Sequence, residues 1–307
     1  MDVLSSALLA LFLVGYLVLA GSDVGLSMLM PVVGRAPGQR RRVVAAIAPY
    51  FLASEVWLVA AVGVLAGLFP ATEHHVVAEL WPVLVALLAG WLVRDAGLWS
   101  RARVDRPDWR AVCDGAIVAG GWTVALAWGL IVAGLLTGGP AASPFTVACA
   151  AAVVCLFALR GAAFGAERLV GADECDSADA AARATRPLAR AGLGLAVAAA
   201  AAAFLPGGPT GGAAVVSLVL AAVLVGALAA TSGLTGPMLS RHTSAVAIAV
   251  PGLFVVLAAD LPVAAIPATT GAFVWATLAP MVPVMVIGQV WLYRMTRQPA
   301  PEPTFFA

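Results

Sequence analysis

Lysine is absent from this sequence of 307 residues, so all 17 basic residues are arginines. Charged residues are scarce as well: they make up 11% of the chain, whereas an average soluble domain has about a quarter. Hydrophobic residues account for 62% of the chain, and the mean hydropathy is +1.00. These values exclude an ordinary soluble protein and predict an all-α polytopic membrane protein.

Other scarce residue types exclude several functions. The arginines are scattered among short connections rather than gathered on one face, which argues against nucleic-acid binding. The four cysteines form no CxxC pair and do not indicate a disulfide framework. The only histidines are His74, His75 and His242, and we expect all three in connections, where the adjacent pair is at most a weak metal motif. Since haem iron needs axial His, Met, Cys or Tyr ligands, we expect this chain alone to bind no haem and no metal.

Long apolar runs predict about nine transmembrane helices, each of roughly 20 residues. Their approximate limits are 4–33, 43–69, 77–100, 111–137, 143–168, 187–206, 212–232, 243–262 and 270–294. We interpret the first run as a retained span, because no basic region and cleavage site precede it. Apart from Arg160, the arginines lie in or next to alternate connections and in the C-terminal tail. The positive-inside rule therefore predicts that the N-terminus lies outside and the C-terminus in the cytoplasm.

Three charged residues fall deep within predicted spans: Asp23, Glu55 and Arg160. An ionised side chain in hydrocarbon is costly, so it normally faces the protein interior and has a partner. Their comparable depth predicts that Arg160 pairs with the two carboxylates. Two interpretations stay open: an ion pair that fixes how the helices pack, or a route for a proton or ligand.

Further polar and aromatic residues complete the pattern. Asp95 and Asp114 lie nearer the cytoplasm, where we expect them to pair with the neighbouring arginines Arg94, Arg101 or Arg110. Trp57 lies too deep for the belt of aromatic residues at the membrane interface. Gln289, in the last span, should find a partner on another helix.

Two stretches near the N-terminus carry a family resemblance. The first is LAGSDVGLSML, residues 19–29, and the second is IAPYFLASEVWL, residues 47–58, which follows Arg41 and Arg42. Weaker matches are Trp109, Arg110, Cys113 and Asp114, and the later Gly161–Ala162 pair. In these residues the chain resembles subunit II of the cytochrome bd-type quinol oxidases.

The resemblance implies a single integral membrane domain, residues 1–307, made of two four-helix bundles and one peripheral helix. It implies a non-haem subunit that is not catalytic alone and that pairs with a larger subunit I in the bacterial cell membrane. Subunit I would carry haem b and haem d and the quinol site, with a small accessory subunit as an optional further partner. The complex would oxidise quinol and reduce oxygen to water. Asp23, Glu55 and Trp57 would then be candidates for a proton or oxygen path.

The chain also departs from the family pattern. Ala20, Leu52 and Ser54 stand where the family has Asp, Asp and Asn, and the Leu52 position is the one that the family uses for proton entry. The lost carboxylates leave open a membrane scaffold whose partner is not a respiratory oxidase. A transporter with buried charges at its midplane is a further alternative.

Overall fold

The computed structural model describes residues 3–140, 142–170, 175–209, 214–233, 237–259 and 261–296. In these residues the chain forms helices and no β-strand. The first helices are α1 Val3–Val33, α2 Pro37–Ile47, α3 Phe51–Leu68, α4 Pro70–Ser100, α5 Pro107–Thr137 and α6 Pro144–Arg168. They are followed by α7 Asp176–Ala202, α8 Ala214–Gly233, α9 Pro237–Leu257, α10 Ala268–Leu278 and α11 Met281–Met295.

Proline interrupts two of the predicted spans. Helices α2 and α3 together form the second span, and the break between them contains Pro49, which has no N–H to donate to the preceding turn. Helices α10 and α11 form the last span and meet at Pro280. In α4, the backbone leaves helical geometry at Leu80, two residues before Pro82. Eight of the nine predicted spans therefore lie where hydropathy predicts them, with proline at each of these irregular points.

Eight of these helices or helix pairs are long and apolar enough to cross a membrane. The exception among the described residues is α7, which begins at Asp176, well before the predicted span 187–206, so its first half is polar. Helix α7 nevertheless runs the length of α6: Gly165 faces Ala181 at one end, and Ser143 lies against Gly207 at the other. The small side chains of the apolar half, an alanine-rich run, permit this close packing.

The helices form two bundles. In the first, α1 contacts α3 and α5, α3 contacts α4, and α4 packs along α5. In the second, α6, α7, α8 and α9 form a closed ring of neighbours. Helix α10 touches α3 from outside. The arrangement confirms the expectation of two four-helix bundles with one peripheral helix.

The two bundles meet most closely where α1 crosses α6. A Cβ atom at Gly25 would overlap the carbonyl of Phe157, and one at Gly161 would overlap the backbone of Gly25. Glycine is therefore required at both positions, because it lets the two backbones touch. Helix α1 therefore joins the first bundle to the second, together with α5, which also packs against α6.

Candidate functional site

Arg94 of α4 is the centre of a buried group of charges. Its guanidinium lies 3.6 Å from Asp23 of α1 and 3.2 Å from Glu55 of α3. The neighbouring Asp95 is 3.0 Å away, which confirms the pairing expected between Asp95 and a nearby arginine. Arg94 is only 2% exposed. We call these four residues the Arg94 cluster.

Asp23 is the most deeply buried member, with no exposed surface. One of its carboxylate oxygens accepts a hydrogen bond from the Val24 N–H at 2.9 Å. The other accepts from the Ser54 hydroxyl at 3.2 Å. Ser54 stands where the family has Asn, so this departure keeps a donor beside Asp23. The carboxylate therefore has polar partners on two helices in addition to Arg94.

Glu55 links this buried centre to the outer surface of α3 and α4. The indole N–H of Trp91 donates to Glu55 at 2.5 Å, beside the Arg94 contact. The side chains of Glu55 and Asp95 are 14% and 18% exposed, whereas that of Asp23 is fully enclosed. Leu52, one turn before Glu55, is half exposed on α3. The cluster thus runs from the interior of the first bundle towards an otherwise apolar face.

The predicted pairing of Arg160 with these carboxylates is corrected by the structure. Arg160 is buried, but its Nε donates to the Val18 carbonyl at 3.2 Å and its Nη1 to the Arg241 carbonyl at 2.9 Å. It lies on α6, beside α9, whereas Arg94 approaches α1 from α4. The sequence gives the depth of a residue in the membrane but does not say which side of α1 it meets, and depth alone led to the wrong arginine.

Trp57 lies inside the first bundle, as its depth in the sequence predicts. It is 6% exposed. Its ring packs directly on Gly15, where any side chain would overlap it. The ring also makes an edge-to-face contact with Phe12, with centroids 6.0 Å apart. A glycine on α1 therefore creates the space that this indole occupies.

Another buried arginine, Arg168 at the end of α6, has a structural role that the sequence did not indicate. Its guanidinium lies 4.2 Å from the centre of the Tyr293 ring. It donates to the carbonyls of Thr296 at 2.7 Å and Tyr293 at 3.2 Å. The hydroxyl of Tyr50, at the start of α3, also bonds to Thr296. Arg168 and Tyr50 therefore hold the C-terminal end of α11 against both bundles.

Sequence reasoning missed Arg94, Trp91 and Ser54 as partners of the two acids. Arg94 comes shortly before the basic connection after α4, and such a position is typical of an arginine at the membrane edge. The available signal was its apolar surroundings, WLVRDAG at residues 91–97. By contrast, the expected pair of Asp114 with a nearby arginine is confirmed: Arg101 Nε donates to Asp114 at 2.6 Å.

The histidines lie on helices rather than in connections, which corrects the expectation. His74 and His75 are in the first turns of α4, and His242 is in the first turns of α9. These are helix ends, where the structure extends helices beyond their apolar runs. Across the ranges that the structure describes, no three residues of His, Cys, Asp or Glu are grouped so that they could hold a metal ion.

Comparison with known proteins places these features in a family. The sequence model of the family described as "Cytochrome bd terminal oxidase subunit II" matches residues 1–296. Among curated proteins, the chain is 35% identical over 133 residues to a "Probable cytochrome oxidase subunit 2" of Haemophilus influenzae. It is 29% identical over 133 residues to "Cytochrome bd-I ubiquinol oxidase subunit 2" of Escherichia coli K12. Each match covers 43% of this chain but only 35% of the relative's length.

The fold is shared over a longer stretch. The structure of bd oxidase from Geobacillus thermodenitrificans contains a chain that superposes with a TM-score of 0.66. The superposition covers 95% of this chain and 97% of that chain, at 14% sequence identity. The family match extends through both bundles and the peripheral helix, and it includes every member of the Arg94 cluster. The protein is therefore a multi-pass membrane protein that belongs to the cytochrome bd terminal oxidase subunit II family.

Proposed function

We propose that this chain is the non-haem subunit II of a bd-type quinol:oxygen oxidoreductase in the bacterial plasma membrane. It would support a haem-bearing subunit I, which would oxidise quinol and reduce oxygen to water. The observation that carries this proposal is the family match over residues 1–296. Haem b, haem d and the quinol site would belong to the partner, since the histidines of this chain lie in the first turns of α4 and α9, near the ends of these spans.

Co-expression with the neighbouring membrane protein gene tests the proposal. We expect the two chains to purify together, to show the visible spectra of haem b and haem d, and to consume oxygen when quinol is supplied. A complex without haem signals would favour the scaffold alternative. A chain that purified alone and moved a solute across vesicle membranes would favour a transporter.

Within this complex, we propose that the Arg94 cluster forms part of a proton route. Glu55 and Asp95 reach the outer surface of α3 and α4, and the Ser54 hydroxyl bonds to the enclosed Asp23. One guanidinium faces three carboxylates, so the fully ionised cluster would carry a formal charge of −2, and a proton shared among the carboxylates would reduce it to −1. Leu52 cannot carry a proton, so entry would occur at Glu55 or Asp95 instead.

The variant Glu55→Gln distinguishes this route from a structural ion pair. Glutamine keeps the shape of the side chain and can still accept the Trp91 hydrogen bond, but it cannot carry a proton. We expect slower quinol-driven oxygen uptake and weaker membrane energisation, with unchanged haem spectra and thermal stability. Glu79→Gln, on the exposed side of α4, is the matched control. If oxygen uptake and energisation equal those of the wild type, the cluster only holds the helices together.

We also propose that Trp57 borders a path for oxygen. Its ring lies on the bare backbone of Gly15, inside the first bundle. The substitution Trp57→Ala would widen this region, and we expect it to change the KM for oxygen more than kcat. Trp122→Ala is the control, because Trp122 is 48% exposed on the outer surface of α5. An unchanged KM for oxygen in Trp57→Ala would remove Trp57 from the path.

A further inference from the structure

A basic cleft lies between α6, α9 and α11, apart from the Arg94 cluster. Its volume is about 830 Å³. Apart from Tyr293, its polar wall consists of Arg160, Glu167, Arg241, His242, Gln289 and Arg294. We call these six residues the basic cleft.

The charges in the wall do not cancel. Glu167 is paired with Arg241 at 2.8 Å. Arg160 and Arg294 have no carboxylate within ion-pair distance among the described residues. With three arginines and one glutamate, the wall carries a formal charge of +2 when His242 is neutral. An anion would balance this excess.

Arg160 is a buried, hydrogen-bonded arginine of the wall. It is 5% exposed, and two of its guanidinium nitrogens donate to the carbonyls of Val18 and Arg241. Carbonyl oxygens satisfy hydrogen bonds but do not neutralise the charge. A buried arginine without a counter-ion is costly, so an occupant that supplies negative charge would stabilise this arrangement.

The side chain of Gln289 is a second, independent indication that the cleft holds an occupant. The sequence predicts an interhelical partner for this residue. In the structure its amide nitrogen is buried, and no hydrogen-bond partner is found for it within the described ranges. The carboxylate oxygen Oε2 of Glu167 is also buried and without a described partner. The amide of Gln289 is thus an unused hydrogen-bond donor beside the arginines of the wall. The unpaired oxygen of Glu167 would favour an occupant that also carries a hydroxyl group or a bound water molecule.

We propose that the basic cleft binds a phosphate-bearing anion, held by Arg160, Arg241 and Arg294. Planar guanidinium groups bind phosphate oxygens through two parallel hydrogen bonds. Arg241 and Arg294 lie near helix ends that the positive-inside rule predicts on the cytoplasmic side, at the depth of lipid headgroups, and Arg160 lies about two turns further inside α6. The anion is the headgroup of an acidic phospholipid or free phosphate. The exposed apolar surface of α11, with Ile287 68% exposed, offers a place for an acyl chain.

The test uses the complex of both subunits in nanodiscs of phosphatidylcholine with a trace of photoactivatable phosphatidylglycerol. We expect the probe to label peptides of α9 and α11. The double variant Arg241→Gln/Arg294→Gln should reduce this labelling about tenfold, as expected when two arginines no longer attract the headgroup. Arg183→Gln/Arg186→Gln, which changes two exposed arginines on α7, should label like the wild type. Unchanged haem spectra and size-exclusion profiles would establish that the variants fold.

A second arm separates the two sources of phosphate. Binding of radiolabelled inorganic phosphate to the wild type, lost in the double variant and without labelling by phosphatidylglycerol, would assign the cleft to free phosphate. Labelling that millimolar phosphate does not prevent would assign it to the lipid. Equal labelling of the wild type and the double variant, together with no phosphate binding, would overturn the proposal.

Discussion

The indole ring of Trp57 occupies the space that a side chain at position 15 would fill, so Gly15 and Trp57 act as one packing unit between α3 and α1. The unit depends on the absence of a Cβ atom on α1. Gly15 is an ordinary helical residue, and no left-handed backbone angle explains its presence. Its role is to admit the ring.

The first prediction concerns this unit. Gly15→Ala should lower the stability of the first bundle by about 1–3 kcal/mol, because the added methyl group forces the ring from its position. The midpoint of thermal unfolding of the purified complex measures this loss. Gly63→Ala is the control: no heavy atom lies within 4 Å of a Cβ built at Gly63, so the wild-type midpoint should be kept or raised. Equal midpoints for both variants would contradict the packing described here.

The second prediction concerns Arg94. Arg94→Gln leaves Asp23 and Glu55 without their cation, and breaking such a buried pair costs about 3–5 kcal/mol. We expect little assembled complex in the membrane. Adding Asp23→Asn should restore part of the yield, since it removes the most enclosed of the uncompensated charges.

A surface pair provides the control for Arg94. Arg106 and Asp108 are 72% and 90% exposed, so Arg106→Gln should leave the yield unchanged. Quantitative immunoblotting of membranes, with the haem spectrum as a measure of assembly, compares the three variants. Wild-type yield for Arg94→Gln would show that the cluster does not need its arginine.

The third prediction concerns the attachment of α11. Arg168→Gln removes two charge-assisted hydrogen bonds to the carbonyls of Tyr293 and Thr296, which are worth about 1.5–3 kcal/mol each. Amide hydrogen exchange should accelerate in the last turn of α11 and remain unchanged in α6. Arg183→Gln, on the exposed side of α7, should not alter exchange in α11. Equal protection of α11 in both variants would mean that other contacts hold this helix.

The fourth prediction concerns the crossing of the bundles. Gly25→Ala places a methyl group against the carbonyl of Phe157, so α1 and α6 must separate. We expect a loss of at least about 1–3 kcal/mol, as for other insertions into a packed core. Gly115→Ala, at a position with open space around it, is the matched control. Identical thermal midpoints for the two variants would contradict the backbone contact.

The spans could be predicted from the sequence because a bilayer imposes their length, and arginine placement predicts their direction. Helix α7 shows the limit of this approach: its polar first half joins the fold because it packs along α6, a tertiary contact that hydropathy does not report. The break at Pro49 had a sequence signal in the proline itself. The start of α4 at Pro70, before the predicted span, had a weaker sequence signal, because the first residues of this helix are polar.

The sequence indicates the two buried acids of the Arg94 cluster but not the arginine that pairs with them. Asp23 and Glu55 are conspicuous since ionised residues rarely occur within apolar runs. Choosing between Arg94 and Arg160 requires the direction in which each side chain leaves its helix and the neighbour that it meets, and a single sequence gives neither. The predicted partner of Gln289 is absent among the described residues for a related reason: the last span lies at the edge of the fold.

Helix α1 connects the two arginines that the sequence could not tell apart. Arg94 reaches it through the carboxylate of Asp23, and Arg160 through the carbonyl of Val18. A translation or rotation of α1 would disturb both the Arg94–Asp23 ion pair and the Arg160–Val18 hydrogen bond. A displacement of α1 at the basic cleft would therefore also move the carboxylate of Asp23 in the Arg94 cluster.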